Sequence, residues 1–300
     1  MPTHRPTQAD DPRNLHMDTI TDTTQIAGHP ITPVTPFGVR IDAASPGTPV
    51  TDLPVARLRE LAREHHLLLL RGFTGFTSAD DLTGYSAQWG EIAMWPYGAV
   101  LELVEHDNPD DHIFDHRYVP MHWDSMYREQ IAQFQIFHCV SAPGAGNGGR
   151  TTFTQTEAVL RDADPAHREL WKKVTGRYRR AVSDYAGECV SPIVTTHPDG
   201  FPIIRYNEPP VGEDFLNRPD LEFTGIPAEQ LPEFHRTLQE ALYDPRHLYA
   251  HTWQTGDMVI ADNYTLLHGR EAFTSRSPRH LQRVHVLGTP PLENTALTNR

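Results

Sequence analysis

The chain has 300 residues, and 39 acidic side chains against 26 basic ones give a formal charge of -13 at pH 7. That balance offers no basic face for a phosphate backbone and so excludes nucleic acid, and no apolar run approaches the roughly 18 residues of a membrane span. A small-molecule ligand and a cytoplasmic location are the expectation, and Cys139 and Cys189 are too few for a disulfide framework or a cysteine zinc cluster.

Residues 1–28 read as a disordered tail, with neither the apolar region nor the basic start of a secretory signal. ITPVTPFGVRIDAA is an extended segment broken by prolines, and Val55, Leu58, Leu61 and Ala62 mark a helix. Leu67 to Leu70, closed by Gly72, predicts a buried strand. A second helix begins after Ser78, with Asp81 three residues on as an imperfect capping box, and is stopped by Gly90. AVLELVEH, QFQIFHCVSA and GRTTFTQT carry β patterns, 156–174 and 227–243 read as helical insertions, and HTWQTGDMVIADN and RHLQRVHVLG return to strands. No repeat is visible. The expectation is one mixed α/β domain with a mainly β core over 29–292, flanked by helices, and a short tail at 293–300.

Gly144 to Gly149 spell GxGxxG. A dinucleotide-binding turn needs a helix immediately after the glycines, and Arg150-Thr151-Thr152-Phe153-Thr154 favours β structure instead. A loop between two strands is the better account.

PMHWDSMY, residues 120–127, sets His122 and Asp124 two apart, which on a strand puts both on one face. Alone the pair is ordinary strand alternation. DMVIADNYTLLHGR adds His268, read as the end of a strand that begins near Asp257. Two imidazoles and one carboxylate form a facial triad that leaves three adjacent positions on Fe(II), room for a bidentate 2-oxo acid and O2. Such a co-substrate needs a cation at its far end. Arg279 and Arg283 stand eleven and fifteen residues past His268 and share a strand face, and guanidinium forks suit carboxylates. A zinc hydrolase or a non-catalytic metal-binding β-barrel could use the same triad, without needing the two arginines.

His122 and Asp124, the GGRT segment at 148–151, and DNYTLLHGR with its two arginines together resemble the taurine-dioxygenase superfamily of Fe(II)/2-oxoglutarate enzymes. Over most of the chain HHLLLLRGF, MWPYGAVLELVEH, YVPMHWDSMY, VIADNYTLLHGREAF and PRHLQRVHV are similar to its tyrosine-isonitrile-modifying branch. The resemblance implies a double-stranded β-helix, or jelly roll. It implies His122, Asp124 and His268 as iron ligands and Thr151 and Arg279 on the far carboxylate of 2-oxoglutarate, with Arg283 near an acidic group of the substrate or the co-substrate. The usual GGDT reads GGRT here, so only Thr151 is carried over. A tyrosine isonitrile or similar carboxylate would be desaturated, decarboxylated to an olefin, or hydroxylated. Tyr97, Tyr127 and Arg205 are candidate substrate contacts, and Arg205, flanked by Ile204 and Tyr206, could instead pair internally with Glu208.

Overall fold

The computed structural model describes residues 24–181, 186–212 and 215–298. Two sheets face each other as a jelly roll. The larger has eight strands, in spatial order Gln25–Ile26, His29–Pro33, Val39–Asp42, Leu67–Arg71, Met258–Asp262, Gln130–Ser141, His280–Glu293 and Val100–Val104. The smaller has four, Leu248–His251, Thr151–Gln155, Leu266–Arg270 and Val119–His122. The four-leucine run is buried on both faces. Leu67 and Leu69 point into the core between the sheets with Phe137, Phe153 and Trp253, while Leu68 and Leu70 point outward under the helix Val55–His65.

That helix covers the outer face of the large sheet with Leu58, Leu61 and Ala62. The next, Ala79–Ser86, starts as its sequence predicts, with the Ser78 hydroxyl accepting from the Asp81 N–H at 3.1 Å. The first predicted insertion folds as two helices, Thr156–Asp162 and Pro165–Trp171, the second N-capped by Asp164 with Pro165 in its first turn. They pack with Leu231–Leu242 through Val159, Trp171, Phe234 and Leu238.

Four sequence expectations change. Residues 1–23 lie outside the described residues, but Gln25–Ile26 pairs with His29–Pro33, so the sheet begins ahead of residue 29. The 293–298 segment is also built in. The Asn294 amide donates to the Ser125, Met126 and Arg128 carbonyls at 3.4, 2.9 and 3.0 Å, and Leu297 bridges to Cys189. The supposed single strand to His268 is two strands in different sheets. Asp262 turns the chain, its carboxylate accepting from the Tyr264 N–H at 3.0 Å and its carbonyl from the Thr265 N–H at 3.2 Å. Finally, Thr175–Ala181, Ala186–Pro192 and Asp220–Thr224 form a separate three-stranded sheet, where the sequence shows charge rather than alternation. Among the described residues, no helix is long and apolar enough to cross a membrane.

Candidate active site

Antiparallel pairing sets His268 of Leu266–Arg270 directly opposite His122, the last residue of its strand, with ring centroids 4.2 Å apart. The register slips just past this pair, where a Cβ on Gly269 would stand 2.7 Å from the Val119 carbonyl oxygen. Only glycine lets the two strands approach so closely. Beyond the strand, Asn263 clasps Asp124: its Oδ1 accepts the Asp124 N–H at 2.9 Å, and its Nδ2 donates to the carbonyls of Asp124 and Ala132 at 3.1 and 2.9 Å. Potential ligand atoms of His122, Asp124 and His268 thereby all fall within 4.8 Å of one another.

The electrostatics suit a cation. Burial alone would raise the Asp124 carboxyl, but the Arg283 guanidinium leads the neighbours that outweigh it and hold it well below the usual range. Burial, then the neighbouring His122, pushes His268 far down, so its ring is neutral and offers a lone pair. The Nδ1 of His122 lies 2.9 Å from the Pro120 carbonyl, an acceptor that keeps the proton on Nδ1 and leaves Nε2 for a ligand bond. Two imidazoles and an ionised carboxylate are the donor set of Fe(II), and these residues fit it.

The GxGxxG segment is a loop joining Gln130–Ser141 to Thr151–Gln155, as its flanking sequence requires. Gly149 is left-handed, φ +76°, and a Cβ there would lie 3.1 Å from Cδ of Arg279. Arg279 is 3% exposed, and among the described residues no Asp or Glu forms a salt bridge with it. Its Nε donates to the Gly149 carbonyl at 3.4 Å, its guanidinium lies 5.4 Å from the Phe273 ring centre, and burial pushes it down to about 10. Two residues past Gly149, the Thr151 hydroxyl accepts from the Trp253 indole at 2.9 Å, which leaves its own proton to donate elsewhere.

A cavity of about 350 Å³ opens on the other side of the triad, lined by His122, Asp124, Arg283, Tyr97 and Tyr127. Its far wall carries Asp111, whose carboxylate accepts from Arg180 and, at 3.0 Å, from Asn217. Arg205 is elsewhere. It is 4% exposed, stacked over Trp123 on the face away from the cavity at 4.7 Å, and donates to the Asn263 carbonyl at 2.9 Å. Its neighbouring carboxylate is Asp262, not Glu208, whose oxygens are taken by Met121, Gln239 and Tyr243. Both readings of Arg205 are therefore corrected: Trp123 screens it from the cavity, and the strand turn supplies its partner.

Sequence reasoning passed over Asn263 and Arg270, and placed His285 on a strand near the site without giving it a role. Arg270 lies buried two residues past His268 and ties down the 112–117 segment through the carbonyls of His112, Ile113, Asp115 and Arg117. The signal was present in the quoted motif, in which only the histidine was singled out.

Comparison with known proteins adds the family. Residues 30–285 match the model of the taurine catabolism dioxygenase TauD, TfdA family. The chain is 51% identical over 264 residues to a tyrosine isonitrile desaturase of Pseudomonas aeruginosa, covering 87% of this chain and 91% of that one. It is 39% identical over 270 residues to a 3-((Z)-2-isocyanoethenyl)-1H-indole synthase of Fischerella ambigua, covering 89% and 98%. Its fold superposes with a TM-score of 0.80 on PvcB, an Fe, alpha-ketoglutarate dependent oxygenase from an isonitrile synthetic pathway, at 45% identity and covering 95% of this chain and all of that one. With the His-Asp-His group and the match running nearly end to end, the chain belongs to the TauD, TfdA dioxygenase family.

Proposed function

We propose that this chain is an Fe(II)/2-oxoglutarate-dependent oxygenase that oxidises an isonitrile derivative of tyrosine, forming an alkene by desaturation or with loss of the carboxyl group. The observation that carries the reading is a buried arginine with no carboxylate partner among the described residues, Arg279, together with a His-Asp-His group bordering a cavity that Arg279 does not line. His122, Asp124 and His268 hold the iron. When bound, it couples the oxidative decarboxylation of 2-oxoglutarate by O2 to removal of hydrogen from the substrate.

The protein's own part is orientation and exclusion of water. Arg279 and the free hydroxyl proton of Thr151 bind the far carboxylate of the co-substrate. A buried guanidinium already stripped of water loses little on receiving a carboxylate, so the pair is preorganised. Arg283, on the cavity side, receives the substrate carboxylate, and Tyr97 and Tyr127 flank its ring. Held this way, a tyrosine-derived substrate presents its benzylic carbon toward the triad. Loss of two hydrogens, or of one hydrogen and CO2 with a second proton, balances the two electrons that O2 takes beyond the two from 2-oxoglutarate, giving succinate, CO2 and water.

The test is reconstitution of apoprotein with Fe(II), 2-oxoglutarate, O2 and tyrosine isonitrile, with products read by mass spectrometry. A product lighter by two hydrogens, with or without CO2, formed in step with succinate, supports the proposal. An unchanged substrate mass or a gain of one oxygen overturns the assigned chemistry. Turnover with Zn(II) and no consumption of 2-oxoglutarate overturns the oxygenase reading itself.

A further inference from the structure

Oδ2 of Asp124 accepts from three donors: Gln135 Nε2 at 2.7 Å, Arg283 Nη1 at 2.7 Å and His285 Nε2 at 2.9 Å. Oδ1 faces His122 Nε2 at 3.5 Å and takes none of them. Oδ2 also lies 3.6 Å from His268 Nε2, so each oxygen faces one imidazole, and the two differ in that only Oδ2 is saturated by protein hydrogens.

His285 stands out among the three donors because a second residue sets its hydrogen. Its Nδ1 is 3.2 Å from the Trp95 indole N–H, which can only donate. Nδ1 must then be the bare nitrogen, and the ring proton sits on Nε2, aimed at Oδ2. The Trp95 segment is zipped to the same strand. Ile92 bridges to Val286, and the Ala93 N–H donates to the His285 carbonyl at 2.9 Å. On its other side Trp95 stacks on Tyr97, 5.7 Å between centroids and 7° between planes, with the Arg128 guanidinium 4.7 Å from its ring centre, and both aromatics line the cavity.

We propose that Trp95 and His285 are a positioning pair: the indole selects the Nε2–H form of His285, which donates to Oδ2 of Asp124 and so fixes the orientation of this carboxylate within the His-Asp-His group. The inference rests on the reading of His122, Asp124 and His268 as ligands. It deepens that reading by tying the metal carboxylate to the aromatic wall of the cavity. Hydrogen-bond partners of this kind are worth 10- to 100-fold in metal affinity in general.

The test is Mn(II) titration of the apoprotein, followed by the EPR signal of free Mn(II), with ¹⁵N-histidine NMR as an independent readout. His285→Leu should weaken Mn(II) binding by roughly 10- to 100-fold. His285→Gln, whose amide nitrogen can occupy the Nε2 position, should recover most of it. Trp95→Phe keeps the ring at a half-buried site and removes only the donor. It should shift the His285 nitrogens from a clean Nε2–H pattern toward a tautomer mixture and weaken Mn(II) several-fold. Equal Mn(II) affinity in native and His285→Leu proteins, or a native His285 protonated on Nδ1, overturns the positioning role alone. Native protein that binds no Mn(II) overturns the ligand reading with it. Should His285→Leu fail to fold, the Trp95→Phe titration and NMR decide.

Discussion

The Arg283 guanidinium lies 2.7 Å from Oδ2 of Asp124, so a cation lining the cavity and the carboxylate of the candidate metal group form one ion pair. A charge-assisted hydrogen bond contributes about 1.5–3 kcal/mol, and 1.4 kcal/mol is tenfold in affinity. Arg283→Leu is therefore expected to raise the KM for the carboxylate substrate by about 10- to 100-fold. Arg283→Lys, which keeps the charge but not the fork, should fall between. Steady-state kinetics with substrate and 2-oxoglutarate varied separately check this. A rise confined to the 2-oxoglutarate KM would move Arg283 to the co-substrate.

Arg279 carries the complementary expectation. It is buried beside Gly149 and the Phe273 ring, away from the cavity lining, so its removal should not touch substrate binding directly. Arg279→Leu should raise the KM for 2-oxoglutarate by about two orders of magnitude, from the loss of a bidentate charged contact, and leave the substrate KM within a few-fold. Equal effects on both constants would mean that the substitution distorts the whole centre.

Much of the candidate site was legible because its signals are local or offset-coded. His122 and Asp124 are two residues apart, and the arginines follow His268 at fixed offsets, although only Arg283 lies on the strand His280–Glu293 and Arg279 stands just ahead of it rather than on a shared strand face. The four-leucine run likewise declares a strand buried on both faces. What the sequence hid depends on register between distant segments. Asn263 meets Asp124 across 139 residues, and Trp95 meets His285 across 190. Arg205 misled for the same reason. An arginine between Ile204 and Tyr206 needs a partner, but which partner depends on a turn 58 residues on, whose Asn263 carbonyl accepts its N–H. The small sheet of Thr175–Ala181 and its neighbours was missed because its strands pair through exposed Arg177 and half-buried Arg179 with Glu188, Asp220 and Glu222, a pattern without apolar alternation.

Asn263 is a prediction in its own right. Its side chain makes three hydrogen bonds to backbone groups of Asp124 and Ala132, and it is buried. Asn263→Ala strands those groups away from water, at about 1–3 kcal/mol for each buried group left unpaired. The variant should unfold at lower denaturant by about 2–4 kcal/mol in total, because water or relaxation recovers part of the loss. It should also bind metal more weakly, since the backbone that presents Asp124 is released. Chemical denaturation and metal titration of the same preparation check both. A loss of stability without a loss of metal affinity would show that the strand end holds Asp124 unaided.

Asp262 gives a pH dependence. Burial pushes its carboxyl up to about 7, against the opposing pull of the Tyr264 N–H and the Arg205 guanidinium. Its folded-state value thus exceeds the unfolded one near 4, and between those values the folded protein holds a proton that the unfolded chain has released. The stability it contributes is fully present below about pH 4 and is lost as pH rises through 7. Asp262→Asn still offers an oxygen to the Tyr264 N–H but cannot ionise. Relative to the native protein, the variant should therefore gain stability between pH 5 and pH 8, on the order of a few kcal/mol. Paired thermal or urea unfolding at those two pH values measures the gain. A native-to-variant difference that stays constant over that range would mean that Asp262 titrates as an ordinary carboxyl, with Arg205 offsetting its burial in full.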